Sequence, residues 1–205
     1  MSTPASLEGV LLAAGESRRM GYPKALLTLE GDTFISHLTR RMLAVVPRLI
    51  VVVGAYGELV HAAVPADRRI RVVINPNFRA GQLSSLKCAL AAVHPNSVGI
   101  MLHLIDHPLV ATQTFERMSE EFMGLARPIV IARYAGKRGH PVIFGRPLFE
   151  ELLAAPLDRG ARVVVDRDPA RVAYVDVPDA GVTADLDTPA DLAQAGLAPP
   201  PKIDG

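Results

Sequence analysis

Apolar residues along this chain follow two rhythms. The first is a short continuous run: residues 10–14, 49–53 closed by Gly54, 70–74 and 99–105. Runs of this length with little polar alternation fit strands buried on both faces, as in a parallel sheet. The second rhythm is helical. Phe34, Ile35, Leu38, Met42, Leu43 and Val46 recur at a helical period, with Asp32 or Thr33 as N-cap and Pro47 as a stop. Residues 56–63, 84–93 and 112–123 predict further helices. The second half is less regular: residues 129–132 and 142–144 predict strands around a Gly136-Lys137-Arg138-Gly139 loop. Residues 147–154 and 159–165 predict helices, 172–177 a strand, and 188–195 a last helix capped by Thr188 with Pro189 at its first position. Alternation of this kind predicts an α/β fold, a doubly wound and mostly parallel Rossmann-like sheet flanked by helices.

Composition narrows the class. With 205 residues, 49% of them hydrophobic, the chain is long enough for one well-filled core. One domain over residues 1–197 is expected, followed by a proline-rich, disordered tail at 198–205. The net charge of +1 argues against a nucleic-acid partner. The single cysteine, Cys88, forms no internal disulfide, and its helical setting fits a small buried apolar residue. Residues 1–7 lack the pattern of an export signal, and no run approaches the ~20 apolar residues of a membrane span. A cytoplasmic protein with no membrane partner is expected.

Candidate chemistry clusters at strand ends. The first strand runs through Leu12, Ala13 and Ala14 into Gly15-Glu16-Ser17-Arg18-Arg19-Met20-Gly21-Tyr22-Pro23-Lys24. Glycine there permits tight turns and close ligand approach. Successive backbone N–H groups can hold phosphate oxygens, and Arg18, Arg19 and Lys24 add three positive charges. The glycine spacing matches neither a Walker A loop nor a dinucleotide fingerprint, which argues against a dehydrogenase-type binder. Asp106 ends the fourth apolar run, where a carboxylate can reach a cation bound to nucleotide phosphates. Its alternative is a turn-forming Asp before Pro108. Asp185 and Asp187 alternate just before the last helix, and Asp187 is also a candidate cap. Ser84 and Ser85 open a helix, one of them as its cap. Lys137 to Pro141 forms a local basic patch. His103, mid-strand, reads as a core histidine; His37, His61 and His94 receive no role.

Leu11-Leu12-Ala13-Ala14-Gly15-Glu16-Ser17-Arg18-Arg19-Met20-Gly21-Tyr22-Pro23-Lys24 resembles the opening of the MobA-like NTP transferases, most closely the molybdenum-cofactor cytidylyltransferase branch. The resemblance continues, in the family's order, at Gly81-Gln82-Leu83-Ser84-Ser85-Leu86, Asp106-His107-Pro108, Gly139-His140-Pro141 and Asp185-Leu186-Asp187-Thr188-Pro189, and covers residues 8–195. It implies transfer of a nucleoside monophosphate from an NTP to a phosphorylated acceptor, with pyrophosphate leaving. Nucleotide contacts then fall to Leu12, Ala13, Ala14, Gly15, Ser17, Arg18, Lys24, Gly81, Ser84 and Ser85. Arg18, Lys24 and Asp106 are the implied catalytic residues. A Mg²⁺ (or Mn²⁺) ion is implied on Asp106 and Asp185, with Asp187 as second choice. Acceptor contacts fall to His107, Gly139, His140 and Pro141.

Cytidylyl-transferring members resemble this chain in carrying Leu-Ala-Ala-Gly where guanylyl-transferring ones carry Leu-Ala-Gly-Gly, so the resemblance favours CTP over other NTPs. It also favours molybdopterin as acceptor, with a molybdoenzyme or its maturation factor as a further partner. One departure bears on the acceptor: the branch usually carries glutamine where this chain has His107. A sugar phosphate, polyol phosphate or other cofactor precursor is the alternative acceptor. A non-catalytic accessory protein for molybdoenzyme maturation is the alternative of another class.

Overall fold

The computed structural model describes residues 6–200; residues 1–5, and residues 201–205 of the expected tail, lie outside that range. The elements run β1 (Ser6–Ala13), β2 (Thr28–Leu29), β3 (Asp32–Thr33), α1 (Phe34–Leu43), β4 (Leu49–Val53), α2 (Gly57–Ala63), β5 (Ile70–Ile74) and α3 (Gln82–Leu90). They continue with β6 (Ser97–Leu104), α4 (Thr112–Gly124), β7 (Ile129–Tyr134), β8 (Lys137–Gly145), α5 (Phe149–Ala154), α6 (Arg162–Asp166), β9 (Val172–Asp176) and α7 (Pro189–Gln194).

Seven strands form one sheet in the order β5-β4-β1-β6-β8-β7-β9. β1 pairs in parallel with β4 and β6, β4 with β5, and β7 with β9. β8 alone among these runs antiparallel, between β6 and β7. The expected mostly parallel α/β sheet is therefore observed. The apolar runs of β1, β4 and β6 are buried as their patterning requires, all five residues of β4 being inaccessible. β5 departs from the expectation, because at the sheet edge none of its residues is buried and Ile74 is 64% exposed. One face carries Ile35, Leu38 and Met42 of α1, Val60 of α2, and Phe115 and Met118 of α4. The other carries Leu83, Leu86 and Leu90 of α3, Leu152 of α5 and Val164 of α6. Cys88 packs partly buried against this second face.

Three local expectations change. The four-residue loop expected at 136–139 is a tight turn at residues 135–136, and Lys137, Arg138 and Gly139 belong to β8. Ala135 and Gly136 both take positive φ (46° and 79°), the backbone that closes a two-residue hairpin. α3 begins at Gln82 with Gly81 as N-cap, so neither Ser84 nor Ser85 caps it. Gly81 enters the helix at φ 96°, which glycine tolerates without strain. The β2–β3 hairpin, with Glu30 and Gly31 at positive φ, has no counterpart in the sequence reading because its strands are only two residues long.

That hairpin positions the site. Met20, Leu27, Leu29 and Phe34 form a third cluster with Leu186 and Leu192. Burial of Leu186, at 4% exposure, fixes the segment that carries Asp185 and Asp187 against the segment that carries Lys24. Thr188 caps α7 in a capping box with Asp191, whose carboxylate accepts the N–H groups of Asp187 and Thr188. The Asp187 side chain is thereby released from capping.

Candidate active site

The sheet reverses its order of growth between β1 and β6: β4 and β5 extend it on one side of β1, β6 on the other. Open α/β sheets bind ligands at the carboxyl ends of strands at such a switch point. A cavity of about 350 Å³ lies there. Its lining includes Leu12, Ala13, Ala14, Gly15, Ser17, Arg18 and Lys24 from the end of β1, Gly81 and Ser85 at the start of α3, and Asp106 and Asp187. Of the residues singled out in the sequence, Ser84, His107, Gly139, His140, Pro141 and Asp185 are not on this lining.

The loop after β1 is shaped by Ser17, which takes a positive φ of 50°. Its carbonyl accepts the N–H groups of Met20 and Gly21, at 3.0 and 3.1 Å. Its hydroxyl accepts the backbone N–H of Lys24 at 3.1 Å. The loop thus turns back so that Lys24, 7% exposed, projects inward. Arg18, also on the lining, has its side chain 75% exposed and paired to Glu16.

Opposite Lys24 stand three carboxylates. One oxygen each from Asp106, Asp185 and Asp187 lie within 4.8 Å of one another. Lys24 Nζ pairs with Asp187 Oδ1 and lies 3.7 Å from Asp106 Oδ2. Arg19 pairs with Asp187 Oδ2. The three acids differ electrostatically. Burial opposes ionisation of Asp187, but the hydrogen bond and charge of Lys24 and the charge of Arg19 outweigh it and hold its pKa below the usual value. Asp185, though exposed, is pushed up first by partial desolvation and then by the charges of Asp106 and Asp187. Asp106 Oδ1 is buried with no hydrogen-bond partner. Converging carboxylates, one with a buried unpartnered oxygen and one pushed toward its neutral form by desolvation and by its neighbours, fit a divalent cation, which takes oxygen ligands.

The other rim is built by a residue the sequence reading passed over. Asn75, 1% exposed, donates from Nδ2 to the hydroxyls of Ser84 and Ser85 at 2.9 and 3.0 Å. Its Oδ1 accepts the N–H of Asn77 at 2.9 Å. This ties the end of β5 to the first turn of α3 and leaves Ser84 behind the cavity wall. The Asn75-Pro76-Asn77 turn signal after an apolar run was the available clue. Tyr56, also on the lining, donates its hydroxyl to the Glu16 carbonyl at 3.3 Å.

His107, 8% exposed, and His140 sit side by side, ring centroids 5.2 Å apart, with Pro141 also buried. Gly139 lies against the Val182 carbonyl so closely that a methyl group there would collide with it. Of these four residues, His107 lies beside Asp106, its Nε2 3.9 Å from Oδ1. Among the described residues, no helix is long and apolar enough to cross a membrane.

The family model of the MobA-like NTP transferase domain matches residues 9–172, from β1 through the start of β9. The chain belongs to the MobA-like NTP transferase family. It is a nucleotidyltransferase. It is 31% identical over 195 residues to nicotine blue oxidoreductase of Paenarthrobacter nicotinovorans, covering 88% of this chain and 91% of that protein. It is 24% identical over 190 residues to the molybdenum cofactor cytidylyltransferase of Escherichia coli, covering 93% and 95%. The crystal structure of Rv0371c from Mycobacterium tuberculosis superposes with a TM-score of 0.79 at 35% identity, covering 94% of this chain and 98% of that one. Rv0371c has also been solved in complex with manganese. A divalent metal at the acidic trio of this MobA-like transferase agrees with that complex.

Proposed function

We propose that the chain transfers CMP from CTP to a phosphorylated acceptor, with molybdopterin as the favoured acceptor. The observation that carries the reading is the convergence of the glycine loop, Lys24, Asp106 and Asp187 at one cavity, with a carboxylate oxygen of Asp185 within 4.8 Å of those of the other two acids. CTP is favoured by Ala14, which puts a methyl group on the lining where guanylyl-transferring relatives carry glycine. Molybdopterin is favoured by the likeness to the Escherichia coli cytidylyltransferase.

The chemistry asks little of general bases. An acceptor phosphate oxygen, ionised at neutral pH, attacks the α-phosphorus; the bond from that phosphorus to the bridging oxygen breaks and pyrophosphate leaves. Positioning and charge stabilisation then dominate. Backbone N–H groups from Ala13 to Ser17 hold phosphate oxygens. Lys24 and Arg18 neutralise the charge that develops on the leaving pyrophosphate. Gly81, Ser84 and Ser85 shape the rim for base and ribose, Ser84 from behind it. Asp106 keeps one buried oxygen without a partner and Asp185 forms no salt bridge among the described residues, so they are the proposed ligands for Mg²⁺ or Mn²⁺, while Asp187 holds Lys24 and Arg19. Bound there, the cation supplies positive charge against the phosphates. Lys137 and Arg138, exposed at the start of β8, suit an anionic acceptor. The product would pass to a molybdoenzyme or its maturation factor in the cytoplasm.

The test is pyrophosphate release from each of the four NTPs with Mg²⁺ or Mn²⁺, with and without molybdopterin, in the parent and Asp106→Ala. Release from CTP that needs both molybdopterin and Asp106 supports the reading. Release only with a sugar or polyol phosphate moves the acceptor. Nucleotide binding without turnover on any acceptor leaves an accessory role. The likeness to nicotine blue oxidoreductase warrants one further arm, redox turnover of nicotine blue. Turnover there and nowhere else would displace the transferase reading.

A further inference from the structure

Behind Asp106 lies a group of imidazoles that the reading above leaves idle. His103, in β6, is wholly buried, edge-on to Phe115 with ring centroids 4.9 Å apart. Its centroid lies 6.3 Å from those of both His107 and His140. All three rings keep Nδ1 buried without a partner. Desolvating polar rings is unfavourable, and an aliphatic residue at 103 would simply continue the apolar run of β6. His103 instead makes one bond: its Nε2 meets the carbonyl oxygen of His107 at 3.0 Å. A carbonyl only accepts, so Nε2 is the protonated nitrogen.

That bond ties down the turn that presents Asp106. The same turn is held by Ile105 N–H to the Leu12 carbonyl, at 3.1 Å, and by His107 N–H to the Leu104 carbonyl, at 3.2 Å. The His107 ring then faces the carboxylate. Its Nε2 is 3.9 Å from Asp106 Oδ1, the buried oxygen with no partner. The other oxygen, Oδ2, faces Lys24 and the cavity. At 3.9 Å the imidazole is too far for a direct hydrogen bond and presents the polar edge of its ring to that oxygen.

We propose that His103 and His107 are positioning residues for Asp106: His103 fixes the turn, and His107 occupies the Oδ1 side so that Oδ2 is presented to the cavity. This rests on Asp106 as a metal ligand, as proposed above. Groups that orient a ligating carboxylate typically change metal affinity or activity by about 10- to 100-fold. On this account His107 touches neither nucleotide nor acceptor.

The test titrates manganese, followed by electron paramagnetic resonance, into the whole protein holding a non-hydrolysable CTP analogue. His107→Leu, His107→Gln, His103→Leu and His103→Gln are compared with the parent and Asp106→Asn, with thermal melts to certify folding. His107→Leu should weaken manganese binding by roughly tenfold or more, and kcat should fall with little change in the KM for acceptor. His107→Gln, which keeps a side-chain N–H, should recover most of it. His103→Leu should act in the same direction; should it not fold, His103→Gln carries the comparison. Folded leucine variants with parental manganese affinity, while Asp106→Asn has lost it, would overturn the proposal. A rise in acceptor KM alone in His107→Leu would overturn it too, by making His107 an acceptor contact. Parental affinity in Asp106→Asn would instead remove the metal reading on which the proposal stands.

Discussion

The carbonyl oxygen of Asp106 accepts the backbone N–H of Leu186 at 2.8 Å. This single bond brings the turn after β6 against the segment before α7, and so sets the spacing of the acidic trio. Leu186 also buries its side chain against Met20, Leu27 and Phe34. Its two neighbours, Asp185 and Asp187, are therefore presented to different partners. Asp187 meets Lys24 and Arg19 on the cavity wall, while Asp185 remains exposed.

From this difference, Asp185→Asn and Asp187→Asn should separate. Asp185→Asn should weaken manganese binding by roughly tenfold or more with little effect on nucleotide affinity in the absence of metal. Asp187→Asn should loosen Lys24 and Arg19 and change metal-free nucleotide affinity more than metal affinity. Manganese titration and nucleotide binding by calorimetry read both. The same profile for the two variants would defeat the distinction.

Ala14→Gly should shift nucleotide choice from CTP toward GTP. One methyl group at a binding wall is worth about 1–3 kcal/mol, or 10- to 200-fold in discrimination. The ratio of kcat/KM for the two nucleotides measures it, and an unchanged ratio would place the selector elsewhere.

Gly139→Ala should destabilise the fold, because its methyl group has no room beside the Val182 carbonyl. Overpacking of this kind costs about 1–3 kcal/mol, and backbone yields less readily than a side-chain end. The readout is urea unfolding. A parental midpoint would show that the 180–183 turn gives way freely.

Stability should fall on mild acidification. Burial, then repulsion from His140 and His107, holds the His103 pKa well below its ordinary 6.5. Burial, then His107, pushes His140 down to about 3. His37 is lowered in the same direction by burial and Arg41. Each is neutral when folded, yet takes up a proton near pH 6.5 when unfolded. Between about 6.5 and the lowered values the unfolded chain binds more protons, so unfolding becomes easier as pH drops. The stabilisation is complete above pH 6.5 and declines below it, by up to about 1.4 kcal/mol per pH unit for each fully buried histidine. Urea unfolding at stepped pH should show this, and His103→Gln should have a shallower slope. A flat profile from pH 7 to 5 would contradict it.

Much of this molecule was legible in one dimension. Continuous apolar runs announced β1, β4 and β6, since a strand covered on both faces admits few polar residues, and also β5, although at the sheet edge it is only partly covered. Helical spacing announced α1 and α4, and Thr188-Pro189 announced the start of α7. The glycine loop with Lys24, and Asp106 at the end of β6, marked two sides of the cavity because both follow buried strands directly. Pairing and burial at longer range were not legible. The β2–β3 hairpin is too short for a period, and the start of α3 depended on a positive φ at Gly81. Nothing local distinguished Asp185 from Asp187, since their difference comes from Lys24 and Arg19, more than 160 residues away in the chain. Nor did any local pattern place Ser84, His107 and His140 behind the wall and Ser85 on it. Sequence records which residues follow a strand; only the packed chain determines which of their atoms face the cavity and which face each other.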